Sequence, residues 1–265
     1  SRWLSKDEAA RRVPILKDGD FEAALYCPSD AFIEIKALLR GFLTVLKKSG
    51  IRVLRGCRLK RVQKKADGFL IEADGQIIFA KKIVNAAGAW AGQVGELAGT
   101  VPIPLSAYRR HLYESRSGGW SARRWPFVWD LSHHFYFRPT KRGFLLSPCD
   151  KELFKLRLGK KPGPGESVDP RMKEDLRRKL QAFSKGLSTI KTGRGKAGLR
   201  TMAPDGRFVV GEDPRLKGFF WIAGLGGHGV TTCFSVGNLA SDLILGRKRE
   251  RYLVNALSPK RFVKC

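Results

Sequence analysis

The sequence has no paired-cysteine motif. Its five cysteines, Cys27, Cys57, Cys149, Cys233 and Cys265, are far apart, and none joins a CxxC pair or a Cys/His cluster with metal-ligand spacing. An odd count argues against a disulfide framework, so reduced thiols in a cytoplasmic protein are the simplest expectation. Long apolar runs are also missing, each breaking well short of the roughly 20 residues a membrane-spanning helix needs. No signal peptide and no internal repeat is visible, and the first residue, Ser1, is not Met, which predicts further sequence upstream. Neither a Ser-His-Asp order nor a carboxylate pair offers an acid–base set.

Acidic residues are scarce: 24 Asp+Glu stand against 51 Lys+Arg, for a net charge of +27. Such a balance favours nucleic acid, anionic membranes or acidic ligands. The stretch 151–200 holds 15 basic and 5 acidic residues, but only Phe154 and Phe183 as aromatics. Single-strand nucleic-acid sites interleave stacking aromatics with their basic groups. The charge is therefore read as a solvated basic surface without a nucleic-acid partner, and a basic binding module over 151–200 is the weaker alternative. With 43% hydrophobic residues, 6 Trp and 16 Phe, the 265-residue chain can fill the core of one large domain or two modest ones.

The periodicity predicts a short helix over 5–13, with Ser5 and Glu8 at capping-box spacing and Pro14 as its stop. A longer helix is expected over 31–49, where Phe32, Ile35, Leu38, Leu39, Phe42 and Leu46 recur and Gly50 follows. Strands are predicted at 51–54, 57–63, 68–73, 76–80 and 82–87, with Asp74-Gly75 as a tight turn and a helix over 89–98. Short aromatic-rich strands at 108–115, 127–130, 134–139 and 143–147 predict an inserted antiparallel sheet. A Pro/Gly loop at 160–165, a helix over 170–184, strands at 208–211 and 218–223 and a helix over 234–245 complete the expected order.

Four segments have the residue types of a ligand site. Gly224-Leu-Gly-Gly-His-Gly-Val-Thr-Thr follows an apolar strand and precedes a helix, so its backbone can approach a bulky ligand and aim amides at an electron-rich edge. A tight strand–helix turn explains it equally well. Val84-Asn-Ala-Ala-Gly-Ala-Trp ends a strand in small residues that would let a flat ligand lie close; an ordinary buried strand end does the same. Arg200, in Gly198-Leu-Arg-Thr-Met, suits a bidentate carboxylate clamp, or is one more surface arginine. On a strand, His134, Tyr136 and Arg138 share a face and could line a polar pocket or an exposed edge.

The order of these segments resembles the D-amino-acid oxidase / glycine oxidase / sarcosine oxidase family of flavoproteins. The similarity runs from Leu4-Ser-Lys-Asp-Glu-Ala through Ala24-Leu-Tyr-Cys-Pro-Ser-Asp, Val84-Asn-Ala-Ala-Gly-Ala-Trp, Arg109-Arg-His, Tyr136-Phe-Arg-Pro, Gly198-Leu-Arg and Gly224-Leu-Gly-Gly-His-Gly to Ala256-Leu-Ser-Pro-Lys-Arg-Phe. The resemblance implies oxidation of a small amine or amino acid by hydride transfer to FAD. It places Leu59, Ala87, Gly88, Trp90 and the run Gly226, Gly227, His228, Gly229, Val230 and Thr231 against FAD. It gives Arg200 the substrate carboxylate, lets Tyr136 cover the substrate, and leaves Arg109 and Arg110 as supports of the sheet. No catalytic acid or base is implied.

The family's N-terminal G-x-G-x-x-G unit is absent from this sequence; Gly193-Arg-Gly-Lys-Ala-Gly matches the spacing, but no apolar strand precedes it. The expectation is an α/β (α+β overall) fold: a partial FAD-binding, Rossmann-like domain over 1–100 and 191–265, with a substrate-binding antiparallel sheet and helix inserted over 101–190. The missing unit is expected upstream or on a second polypeptide, and a non-catalytic remnant or partner subunit is the alternative reading.

Overall fold

A computed structural model describes residues 1–116, 119–120, 122, 124–156 and 168–263. They fall into two compact units. The first takes the described residues of Ser1–Ala31, Tyr108–Phe154 and Lys160–Leu199; the second takes those of Phe32–Ala107, Lys155–Gly159 and Arg200–Cys265. The sequence reading grouped residues 1–31 with the flavin-binding part, whereas by packing they join the antiparallel sheet. Phe21 stacks on Phe183 at 5.9 Å, and the Asp18 carboxylate accepts from the amides of Lys185 and Gly186 at 2.8 and 3.2 Å.

In the first unit, β1 (Arg2–Ser5) and β2 (Ala23–Tyr26) pair antiparallel, and neither was anticipated. Helix α1 (Lys6–Arg12) begins at the expected capping box: Ser5 Oγ accepts from the Glu8 amide at 3.3 Å, and Glu8 Oε2 accepts from the Ser5 amide at 2.8 Å. The main sheet contains β7 (Ser106–Arg116), β8 (Val128–Asp130), β9 (Phe135–Pro139), β10 (Gly143–Ser147), β11 (Glu152–Phe154) and β12 (Thr192–Met202), of which Ser106 and Ala107 of β7 and residues 200–202 of β12 belong to the second unit. Its order is β11-β7-β10-β9-β8, with β12 also paired to β7. Alternation decides which side is buried. Phe135 and Phe137 of β9, Phe144 and Leu146 of β10 and Tyr113 of β7 point into one core with Leu176, Leu180 and Phe183 of α4 (Pro170–Phe183) and Leu187 of the short α5 (Lys185–Ser188). Each such side chain contributes roughly 1.5–3 kcal/mol by leaving water.

Tyr136 and Arg138 take the opposite face of β9. His134 does not join them: it lies in the turn before the strand, at φ +56°, so strand alternation stops short of it. The Gly193–Gly198 stretch is extended strand inside β12, not a strand–turn–helix. The Pro/Gly loop predicted at 160–165 lies outside the described residues.

In the second unit, α2 spans Ile35–Lys48, four residues after its predicted start. Residues 51–54, predicted as a strand, are irregular, because their apolar residues find no strand to pair with among the described residues. Strands β3 (Leu59–Lys65), β4 (Gly68–Ala73) and β5 (Gln76–Ala80) form the predicted meander, and Gly75 supplies the turn at φ +70°. A second sheet sets β14 (Phe219–Ala223) between antiparallel β13 (Val209–Glu212) and parallel β6 (Ile83–Asn85). Phe69, Val209, Phe219 and Trp221 share a core with Ala91 of α3 (Ala91–Ala98). Trp221 is fixed there by its Nε1–H, which donates to Asp213 at 2.9 Å. The α6 helix (Cys233–Ile244) packs Val236, Leu239 and Ala240 beside Val210. The fold is thus mixed α/β with antiparallel sheets, as the sequence predicted.

Candidate functional site

The glycine-rich loop leaves β14 at Gly224, whose φ of +67° only glycine takes easily, and turns again at Gly226, φ +55°. The Gly226 amide donates to the Thr201 carbonyl of β12 at 2.8 Å, which fixes the loop beside Arg200. There the Arg200 guanidinium lies against Gly227: a Cβ at Gly227 would stand 3.0 Å from both Cζ and Nη1 of Arg200 and 3.3 Å from Nε. A substrate-carboxylate candidate and a cofactor candidate are therefore in direct contact. Further on, the His228 carbonyl accepts from the hydroxyls of Thr231 and Thr232 at 2.9 and 2.8 Å and from the Thr232 amide at 3.0 Å, winding the chain into α6. Among the described residues, the amides of Gly227, Gly229, Val230 and Thr231 meet no acceptor.

The second cofactor candidate, Ala87–Trp90, is shaped by Asn85. This buried amide donates to the Ala91 carbonyl at 2.8 Å and accepts from the Ala87 amide at 3.3 Å, so it ties both ends of the turn. Gly88 sits at φ +57° with open space where a side chain would project, and Trp90 is partly exposed. The small residues thus leave room at the end of β6. Leu59 opens β3 at a register irregularity and packs on the same core as Ala87. Sequence reasoning named the turn but passed over Asn85; a lone amide in an apolar strand end was the available signal.

Tyr136 belongs to the first unit and Arg200 to the second. Around Tyr136 are Phe127, with ring centroids 5.1 Å apart, and Trp129, edge-on at 6.5 Å. Elsewhere in the first unit is a network that the sequence concealed. The fully buried His111 faces Asp150 through Nδ1 at 2.8 Å, and its Nε2 accepts from the Asp169 amide at 3.0 Å. That acceptor role puts the ring proton on Nδ1, which donates to Asp150 in a neutral imidazole. Arg109 joins through Glu152 at 2.5 Å and Asp169 at 3.8 Å, the sheet-supporting role expected of it. Burial first, then the Asp150 and Asp169 carboxylates, push the Tyr113 hydroxyl up to about 12, so it stays protonated at neutral pH. The network orders three segments and presents no titrating group at neutral pH from this tyrosine.

A family profile described as FAD dependent oxidoreductase (DAO) matches residues 1–243. The chain belongs to this FAD-dependent oxidoreductase family. Among curated relatives, glycine oxidase of Bacillus subtilis is 24% identical over 255 residues, covering 93% of this chain and 63% of that protein. Mitochondrial dimethylglycine dehydrogenase of Rattus norvegicus is 26% identical over 263 residues, covering 95% of this chain and 30% of the relative. The chain thus spans less than two thirds of the length of these relatives. Glycine oxidase from Geobacillus kaustophilus superposes with a TM-score of 0.83 at 19% identity, over 99% of this chain and 67% of that one, which shows the shared fold.

The residues present fit the family's cofactor. Amides that meet no acceptor among the described residues, at Gly227, Gly229, Val230 and Thr231, followed by the positive end of α6, suit the electron-rich edge of a flavin. The open space at Gly88 leaves room for a flat ring system. Among the described residues, no group of three or more His, Cys, Asp or Glu could hold a metal, and no helix is long and apolar enough to cross a membrane.

Proposed function

We propose that this member of the FAD-dependent oxidoreductase family takes part in the oxidation of a small amine or amino acid, whose imine product then hydrolyses. FAD, when bound, supplies the acceptor for the hydride leaving the substrate α-carbon. Gly226, Gly227, His228, Gly229, Val230 and Thr231 would hold it along the loop, with Ala87, Gly88 and Trp90 at the end of β6 and Leu59 through its backbone. Arg200 would bind the substrate carboxylate with its planar fork and fix the α-carbon in one orientation. Tyr136 is the substrate-contacting group proposed for the sheet of the first unit. The observation that carries the reading is the seat of the Arg200 guanidinium on Gly227, which ties a carboxylate clamp to a loop with unpartnered amides.

The test is a visible absorption spectrum of the chain after incubation with FAD and desalting. Retained flavin bands that bleach anaerobically with glycine or sarcosine support the reading; a colourless protein refutes it for this chain. A second reading, completion by further polypeptide, has one observation in its favour. None of the 14 residues of α2 is buried, and Ile35, Leu39, Phe42 and Val45 expose an apolar stripe. On that reading the stripe binds a hydrophobic dye, and Leu39→Lys with Val45→Lys removes the signal; an unchanged signal rejects it.

A further inference from the structure

The two adjacent arginines of β7 have opposite fates. Arg109 points toward the core side and is held by Glu152, by Asp169 and over the ring of Phe154. Arg110, one residue on, points to the other face. Its Nε is buried and has no hydrogen-bond partner among the described residues. A buried guanidinium nitrogen without an acceptor is unfavourable, and the ordinary remedy is a carboxylate or phosphate.

The strand registers define what shares its face. Leu146 is opposite Tyr113 and Phe137, on the core side. Leu145 is opposite Glu114 and Arg138, and Ser147 is opposite Tyr136, on the other side. Trp129 is opposite Tyr136 in turn. Arg110 has the parity of Glu114, so it belongs to the face of Tyr136, Trp129 and Arg138. The one carboxylate on that face of β7, Glu114, is directed to Lys196 at 4.0 Å. Extending the Leu146–Tyr113 register by one residue sets Tyr136 level with Leu112. Arg110 then lies two strands across, about 10 Å, and two residues along, about 7 Å. An arginine side chain reaches roughly half that diagonal, which leaves the length of a small ligand between its fork and the Tyr136 ring.

We infer that Arg110 is an anion site on this sheet face, taking the carboxylate of a small ligand whose apolar part rests on the Phe127, Trp129 and Tyr136 cluster. The assignment extends the proposed role of Tyr136 in substrate contact and rests on it; it is separate from the carboxylate role given to Arg200.

The experiment titrates the full chain with phenylacetate and with the neutral phenylacetamide, following Trp129 fluorescence against a Trp129→Phe reference. Phenylacetate is expected to bind at least tenfold more tightly. Arg110→Met should weaken phenylacetate about 10- to 100-fold, the range of a charge-assisted hydrogen bond, and leave phenylacetamide unchanged. Arg110→Lys should keep part of the preference, since it retains the charge and loses the fork. Arg200→Met should leave the Trp129-detected binding intact. If Arg200→Met removes that signal and Arg110→Met does not, the carboxylate belongs to Arg200 alone and the Arg110 site is wrong, while the proposed function stands. Equal loss of both probes in Arg110→Met also overturns the site. A melting scan supplies a second readout: Arg110→Met should melt no lower than the parent, because it removes an unpaired buried nitrogen, whereas Arg109→Met should melt lower. If the two variants fall equally, Arg110 is a prop of the sheet and the inference fails.

Discussion

Replacing Gly227 by alanine separates substrate orientation from folding. The added Cβ would stand 3.0 Å from Cζ and Nη1 of Arg200, where carbon contacts are comfortable from about 3.5 Å, so the guanidinium must retreat by roughly 0.5 Å. The obstacle is the far end of a flexible side chain, and Gly227 does not have a left-handed backbone conformation. The fold should therefore tolerate the change to within about 1 kcal/mol, with a small gain from the stiffer unfolded chain acting in the opposite direction. A misplacement of about 1 Å can cost on the order of 100-fold in rate, so half of that predicts about a tenfold rise in KM for a carboxylate-bearing amine. The assay compares glycine with methylamine on the flavin-loaded protein, beside a thermal melt. Methylamine, having no carboxylate, should show no change in KM. The control is Gly226→Ala, at φ +55°, where the strain of a left-handed alanine costs about 1–2 kcal/mol without adding an atom against Arg200. An unchanged KM for glycine in Gly227→Ala, or an equal rise for both amines, would refute the reasoning.

Three further outcomes are expected. Gly95→Ala should destabilise by about 1–3 kcal/mol in a urea titration, because its Cβ would overlap the Trp221 ring, which Asp213 holds in place; a neutral result would show that the ring can move. Asn85→Ala should cost about 1–3 kcal/mol by removing the hydrogen bonds that Asn85 makes to the Ala91 carbonyl and accepts from the Ala87 amide, and should also weaken FAD retention; stability lost with retention unchanged would dissociate the turn from the cofactor. The Arg171 hydrogen bond holds the Asp169 carboxyl down at about 2 from 3.8, so its contribution is fully present above about pH 4 and is lost as pH falls toward 2. The stability gap between parent and Arg171→Met should accordingly be widest above pH 4 and close near pH 2, and a gap constant across that window would contradict the assignment.

What the sequence disclosed was local. Ser5 and Glu8 are three residues apart, and the capping box they predict is present. Gly143–Ser147 and Gly68–Ala73 are short, mostly apolar runs that carry their strand signal within their own bounds, and both strands begin and end where predicted. Residues 51–54 have the composition of a strand, but a strand also needs an edge to pair with. His134 shows the same limit, since alternation cannot signal that a left-handed turn intervenes. The His111 network was illegible because Asp150 and Asp169 are 39 and 58 residues away, and no periodicity reaches that far. For the candidate site, the order of Val84-Asn-Ala-Ala-Gly-Ala-Trp, Gly198-Leu-Arg and the glycine-rich loop carried the family, to which the chain belongs. The meeting of Arg200 with Gly227 required the packing of β12 beside that loop, which neither segment announces alone.

The bond between Asp18 and the Lys185 amide spans 167 residues of chain. At synthesis rates of about 5–20 residues per second, the opening segment emerges roughly 8–33 s before its partner exists. Phe21 must wait for Phe183 over nearly the same interval. The first unit therefore cannot close while the ribosome is reading the second unit's early strands, and its aromatic faces remain available to chaperones for that time. Codon changes that slow translation between residues 31 and 183 should lengthen this exposure without altering a single contact of the finished protein.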